Sequence, residues 1–322
     1  MTSRWLRLIR IHTSSLTQAA VLLGLVLAGK NMGWSWFLFA FFAVLFHATG
    51  FLHNDLCDYK HDKEDHAKKH FPLVTGEVPL RQATHVCFIL TAIGLVFGGF
   101  LSRGKILSIF PLGTAIAFGY IYNSRSKKDV VSPLYITLSF TSLPLFSYFA
   151  HTDHLSFTMI LVVLYMAFTM LYQIAVEGYI KDIGSDKVSL LKNLGTRSRE
   201  GGSILVNAKT KLFAWSLKVP LFFLFGIIAN HVHSDPAVFF AGTLLAIGIL
   251  VSSVKLLESG HFDNRKRVRL CAIIEVLTYT LLVVSLQGAL GWSGLAFFIL
   301  YPYTWFVVLN RLTWKTWITP RV

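Results

Sequence analysis

With 322 residues, 54% of them hydrophobic and 14% charged, the chain is too apolar for a soluble protein, in which about a quarter of residues are charged. The formal charge of +14 rests on bases that fall between apolar runs. That placement argues against a nucleic-acid-binding face and for membrane topology and an anionic substrate. Cys57, Cys87 and Cys271 form no CxxC pair, so neither a disulfide framework nor a zinc site is expected.

In chain order, MTSRWLRLIRIHTSSLTQAAVLLGLVLAG has the basic start and apolar core of a signal peptide. Further spans follow it, so it reads as a retained first helix over 11–30. The second span, 34–53, runs directly into NDLCDYKHD (54–62), which opens a long polar loop to 81. Spans three to six are expected at 82–102, 106–123, 132–150 and 156–180; the sixth ends in KDIGSD and a second long loop to 210. Four more follow at 211–230, 236–256, 268–289 and 293–311. Such runs approach or reach the roughly 20 residues that a bilayer-spanning helix needs. Backbone groups in lipid must be satisfied internally, so each span is expected to be helical. The expected fold is all-α, a polytopic transmembrane bundle of nine to ten spans around a central cavity, forming one domain over 1–322. With the N-terminus in the cytoplasm, 26 of the 30 lysines and arginines fall on the cytoplasmic side. This is the bias that sets orientation.

The acidic residues carry the chemical reading. Continued as helix past Leu52, the chain turns Asp58 to about 300°, Asp62 to about 340° and Asn54 to about 260° relative to Asp55, so the four fall within an arc of about 100°. Asp182 and Asp186 are four apart and also share a helix face. An Asp at the centre of a spanning helix costs roughly 2.5–3.5 kcal/mol, and less toward the interface. Gathered carboxylates repel one another besides, and a divalent cation relieves both penalties. Hard Mg²⁺ prefers oxygen ligands and takes one or two carboxylates plus substrate phosphate. Two acidic clusters at matched helix ends therefore point to two Mg²⁺ ions clamping a diphosphate. Lys68, Lys69, Arg125, Lys127, Lys128, Lys181 and Lys192 are the bases available to the remaining phosphate oxygens.

These residues resemble a known family. NDLCDYKHD fits the NDxxDxxxD signature, and DIGSD the DxxxD signature, of the UbiA superfamily of intramembrane prenyltransferases. FPLVTGEV is similar to that family's R-P-L/I-x-S-G segment, YIYNSRSKK to its Tyr-and-basic loop, and Lys192 falls where the family often has a lysine. The chain departs from the pattern at Phe71, which stands where an arginine is usual, and in the Gly/Ser-rich stretch after Lys192. The resemblance implies Mg²⁺-dependent transfer of an isoprenyl group from an allylic diphosphate to a lipophilic, aromatic acceptor, with diphosphate release. Carried over residue by residue, it assigns metal binding and catalysis to Asp55, Asp58, Asp182 and Asp186. Substrate binding is assigned to Asn54, Asp62, Lys68, Lys69, Arg125, Lys128, Lys181 and Lys192. The partners are then an isoprenyl diphosphate, the acceptor and membrane lipid, with no nucleic acid, and the expected location is the cell (inner) membrane with the active site facing the cytoplasm.

Within the superfamily, prenyl transfer to a glycerol-phosphate lipid and terpene cyclisation remain alternatives. Outside it the alternative is a cation transporter, which would place acids near mid-membrane in broken helices. Phe39, Phe41, Phe42, Phe46, Phe51, Tyr120, Tyr122, Tyr172 and Tyr179 lie near the motif ends as candidates for shielding an allylic cation. Glu177, inside the sixth span, reads either as an acceptor-orienting base or as a salt-bridge partner of Lys181 about one turn on.

Overall fold

The computed structural model describes residues 2–64, 68–182, 190–198, 204–258, 260, 262 and 264–316. It opens with a short helix, α1 (Thr2–Leu8). Arg10, left-handed at φ 48° and ψ 44°, then turns the chain into a 3₁₀ turn at Ile11–Thr13 and α2 (Ser14–Leu27). There follow α3 (Trp34–Glu64), α4 (Leu80–Leu101), α5 (Ile106–Arg125), α6 (Ser132–Phe149) and α7 (Phe157–Tyr172). A π-helical turn, Gln173–Gly178, joins α7 to α8 (Tyr179–Asp182), and α9 (Leu190–Asn193) comes after it. A two-residue antiparallel pair, β1 (Arg197–Ser198) with β2 (Ile204–Leu205), leads to α10 (Ala208–His231), α11 (Pro236–Leu257), α12 (Asn264–Ser285) and α13 (Gln287–Trp314).

Among the described residues, eight helices are long and apolar enough to cross a membrane. The other two expected spans are the shorter apolar helix Ile11–Leu27 and α6. Helix starts follow the local chemistry. Ser156, Asn207 and Asp235 each accept a hydrogen bond from a first-turn amide of α7, α10 and α11, and Pro236 opens α11, where its missing N–H is no loss. The expected break near 290 falls earlier, between α12 and α13, and α13 is kinked at Gly291. Large apolar side chains such as Phe88, Val96 and Phe100 on α4, Phe110 on α5 and Phe240 on α11 are exposed. A hydrocarbon solvent removes the penalty this would carry in water.

The chain divides into two compact units. The first comprises Met1–Ser124, Ser142–His154 and Phe298–Val322. In it α3 packs between α2 and α4, over a core that includes Leu8, Leu52, Leu73, Val78 and Cys87. Gly24 of α2 is obligatory here, because a Cβ would stand 2.1 Å from the Pro144 carbonyl oxygen. Beside it the Ser147 hydroxyl donates to the Val21 carbonyl at 2.6 Å. The second unit comprises Arg125–Thr141 and Leu155–Phe297. There α7 packs on α10 and α11 on α12, around Val176, Ile180, Leu217, Leu256 and Ile274.

Candidate active site

Helix α3 does not stop where its apolar run ends. No glycine or proline interrupts 51–64, and the helix carries NDLCDYKHD on its last turns. The 3.6-residue period then turns Asp55, Asp58 and Asp62 to one side, and all three are buried, whereas Cys57, Lys60 and His61 are exposed. Asn54 is half-buried beside them.

Buried carboxylates need partners. The Arg10 guanidinium donates through Nη2 to Asp55 Oδ1 at 2.8 Å, and Lys68 Nζ lies 2.7 Å from Asp62 Oδ1. Both cations are seated on aromatic faces. Arg10 Cζ lies 4.7 Å from the centroid of Phe51 and 5.6 Å from that of Phe71, and Lys68 Nζ lies 5.9 Å from Phe71. Phe71, the departure from the family pattern, is thus a shelf between two bases. The Arg10 backbone is fixed too: its carbonyl accepts from Thr13 Oγ1 at 2.9 Å and lies 3.2 Å from His47 Nε2.

The loop after the motif is folded against α1. Val78 N donates to the Pro72 carbonyl at 3.0 Å across a turn in which Gly76 takes φ +75°, a conformation that favours glycine. Arg4 donates to the Glu77 carbonyl at 2.7 Å, and Arg7 reaches the Glu77 carboxylate at 2.5 Å. The basic start of the chain, read from sequence as a topology signal alone, therefore also clamps the loop and supplies Arg10 to the acidic face. Nothing local in the sequence marks Arg10 for that task, since its partner lies 45 positions away.

In the second unit, α8 ends at Asp182, but the Asp182 side chain and the whole of Asp186 lie outside the described residues. Lys192 on α9 is half-buried, while Arg125 and Lys128 are exposed, as is Lys69 in the first unit. Lys181 Nζ lies 3.9 Å from Glu275 Oε1. The salt bridge allowed by the spacing of Glu177 and Lys181 does not form, and among the described residues Glu177, which lies beside Glu275, makes no hydrogen bond of ordinary geometry. Lys181 pairs instead with the more exposed Glu275 of α12, while Glu177 is fully buried. Among the aromatic candidates, Phe39 and Phe42 are core residues packed on Phe146, and Phe41 is exposed. Tyr120 stacks on His53 at 4.0 Å and bonds Thr91, and with Phe46 it lines an apolar groove between α3, α4 and α5.

Chemically, the first unit offers buried carboxylate oxygens beside two ordered bases. Among the described residues no three acidic, His or Cys side chains converge as a self-sufficient metal cage. That suits Mg²⁺, which takes one or two carboxylates and completes its shell with phosphate oxygens and water.

The UbiA prenyltransferase family model matches residues 18–273, a stretch that includes both acidic motifs. The chain belongs to the UbiA prenyltransferase family. Solved UbiA structures share its fold. The structure of a digeranylgeranylglyceryl phosphate synthase matches with a TM-score of 0.67 at 19% identity, covering 90% of this chain and 99% of the other. An apo UbiA homologue from Aeropyrum pernix K1 matches at 0.64 and 16% identity, covering 85% and 98%. A UbiA homologue from Archaeoglobus fulgidus bound to DMAPP and Mg²⁺ matches at 0.54 and 14%, covering 87% and 99%. No curated protein sequence matches significantly. As a UbiA member the chain is an integral, multi-pass membrane prenyltransferase.

Proposed function

We propose that this UbiA member transfers an isoprenyl group from an allylic diphosphate to a lipophilic, aromatic acceptor and releases diphosphate. The observation that carries the reading is the pairing of Asp55 with Arg10 and of Asp62 with Lys68 on one buried helix face. A site that joins buried carboxylates to ordered bases provides for a phosphate-bound cation and for the phosphate itself. Asp55 and Asp58, with Asp182 and Asp186 of the second motif, would hold Mg²⁺. When bound, Mg²⁺ supplies charge neutralisation for the diphosphate as its ester bond to carbon breaks.

The chain's own residues do the rest. Arg10 and Lys68 donate to phosphate oxygens, with Asn54, Lys69, Arg125, Lys128, Lys181 and Lys192 as further substrate ligands. Asp62 positions Lys68. Phe51 and Phe71 hold the bases in place by cation–π attraction, about 0.5–1 kcal/mol for each partly exposed pair. Burial on the helix face limits water at the reacting carbon. Orientation by positive charge supports a cytoplasmic N-terminus and active site, in the cell (inner) membrane.

A glycerol-phosphate lipid is the second acceptor class, since the structural neighbour of TM-score 0.67 is a digeranylgeranylglyceryl phosphate synthase. The test is incubation of purified protein and Mg²⁺ with allylic diphosphates of graded length and a panel of acceptors, read by mass spectrometry. A prenylated aromatic product supports the proposal. A prenylated glycerol-phosphate selects the second class, and a product lacking any acceptor points to cyclisation and overturns both.

A further inference from the structure

The second unit buries charge that the acidic motifs do not use. Glu177, on the π-helical turn, is 0% exposed and lies beside Glu275, and among the described residues neither of its carboxylate oxygens makes a hydrogen bond of ordinary geometry. Lys218 of α10 is 1% exposed. Its ammonium makes one hydrogen bond, to Thr278 Oγ1 at 3.3 Å, and rests 3.9 Å from the centroid of Tyr172. The Tyr172 and Ser253 hydroxyls are buried facing each other, and among the described residues neither makes a hydrogen bond of ordinary geometry to a third group. Glu275 and Lys181 form an outer pair at 3.9 Å, with side chains 37% and 28% exposed.

Four helices thus send unfilled donors and acceptors to one place inside a membrane protein. Each such group costs free energy unless something completes it, and nearly all buried polar groups in native proteins are completed. Ionisable side chains within spans are rare and mark functional sites, and π-helical turns gather at such sites as well. Glu177 and Lys218 attract each other across the cluster, but no hydrogen bond joins them, so the ion pair leaves the Glu177 oxygens to be completed.

We propose that this cluster is the binding site for the polar head of the prenyl acceptor, and that the head is a neutral hydroxyl group. The inference rests on the prenyl-transfer reading and narrows its acceptor. A hydroxyl donates to a Glu177 oxygen while accepting from the Lys218 ammonium or the Tyr172 and Ser253 hydroxyls, so one group fills vacant positions of both kinds. An ionised carboxylate has no proton for Glu177, and a phosphate monoester has lost its last one above its second pKa of about 6. Either head would also bring a further negative charge to a cluster whose two acids and two lysines already balance. Val176, Ile180, Leu217 and Ile274, packed around the same turn, provide apolar contact for the body of the acceptor. Glu177 precedes Asp182, where the second acidic motif begins, by five residues in the sequence.

The test uses the full chain in nanodiscs and saturable binding of radiolabelled 4-octylphenol, with 4-octylbenzoate and monooctyl phosphate as matched anionic probes. The wild type is expected to bind the phenol at least tenfold more tightly than either anion. Glu177→Gln and Lys218→Met should weaken the phenol at least tenfold. Tyr172→Phe, which removes one hydroxyl and keeps the ring, should weaken it severalfold and keeps the test open if a charge variant fails to fold. All three variants should bind geranyl diphosphate with Mg²⁺ as the wild type does. No saturable phenol binding, equal or tighter binding of the anions, or unchanged phenol binding in folded variants would overturn the inference. Absence of Mg²⁺-dependent geranyl diphosphate binding in the wild type would instead overturn the prenyl-transfer reading beneath it.

Discussion

Replacing Arg10 with methionine keeps an unbranched, flexible stem and removes the guanidinium and its charge. The guanidinium bonds Asp55 at 2.8 Å, and the two side chains are 30% and 7% exposed. A hydrogen bond to a charged group contributes about 1.5–3 kcal/mol, and the Phe51 face adds about 0.5–1 kcal/mol. Exposure of Arg10 to solvent screens the pair, so the lower end of that range applies, about 2 kcal/mol. At about 2–4 °C per kcal/mol for a chain of some size, the ligand-free melting midpoint should fall by about 4–8 °C. The affinity for geranyl diphosphate in the presence of Mg²⁺ should fall about tenfold, equivalent to about 1.4 kcal/mol. Tryptophan-monitored melting of the detergent-solubilised protein reads the first quantity, and calorimetric titration reads the second. An unchanged midpoint together with an unchanged affinity would refute the assignment of Arg10 to the acidic face.

Gly24→Val would place a Cβ 2.1 Å from the Pro144 carbonyl oxygen and 2.2 Å from Ser147 Oγ, forcing the two segments apart. Overpacking of this kind costs about 1–3 kcal/mol, and a lower melting midpoint with loss of monodispersity on size exclusion is the expected readout. A fluorescent reporter fused after Val322 should lie in the cytoplasm, as an even number of spans requires; external fluorescence would remove one span from the count. Gly76→Ala imposes a side chain on a φ of +75°, at about 1–2 kcal/mol. Protease sensitivity between Lys69 and Arg81 should rise as the Arg4 and Arg7 contacts with Glu77 loosen.

The spans and the first acidic face were legible because each depends on local periodicity. Apolar runs of the right length had to be helical in lipid, and the spacing of Asp55, Asp58 and Asp62 fixed a common side once α3 continued past Leu52. The partners of that face were not legible, because tertiary packing supplies them. Arg10 is itself the left-handed residue just before the first span, and a basic N-terminus has a sufficient explanation in topology. Phe71 read only as a departure from the family's arginine, whereas its ring supports two cations. Glu177 stood out as a charge within a span, yet only the packing of α7, α10, α11 and α12 joins it to Lys218. The π-helical turn that carries Glu177 has no signature in QIAVEG.

The central claim is that the buried carboxylates serve diphosphate departure. The direct measurement is release of pyrophosphate from geranyl diphosphate by purified protein with acceptor present, in Mg²⁺ and in EDTA, for the wild type, Asp55→Ala and Asp182→Ala. The account predicts Mg²⁺-dependent release by the wild type and none by either variant, although both insert in the membrane. Release that survives in either variant at saturating Mg²⁺, or metal uptake by proteoliposomes with no diphosphate turnover at all, would contradict it.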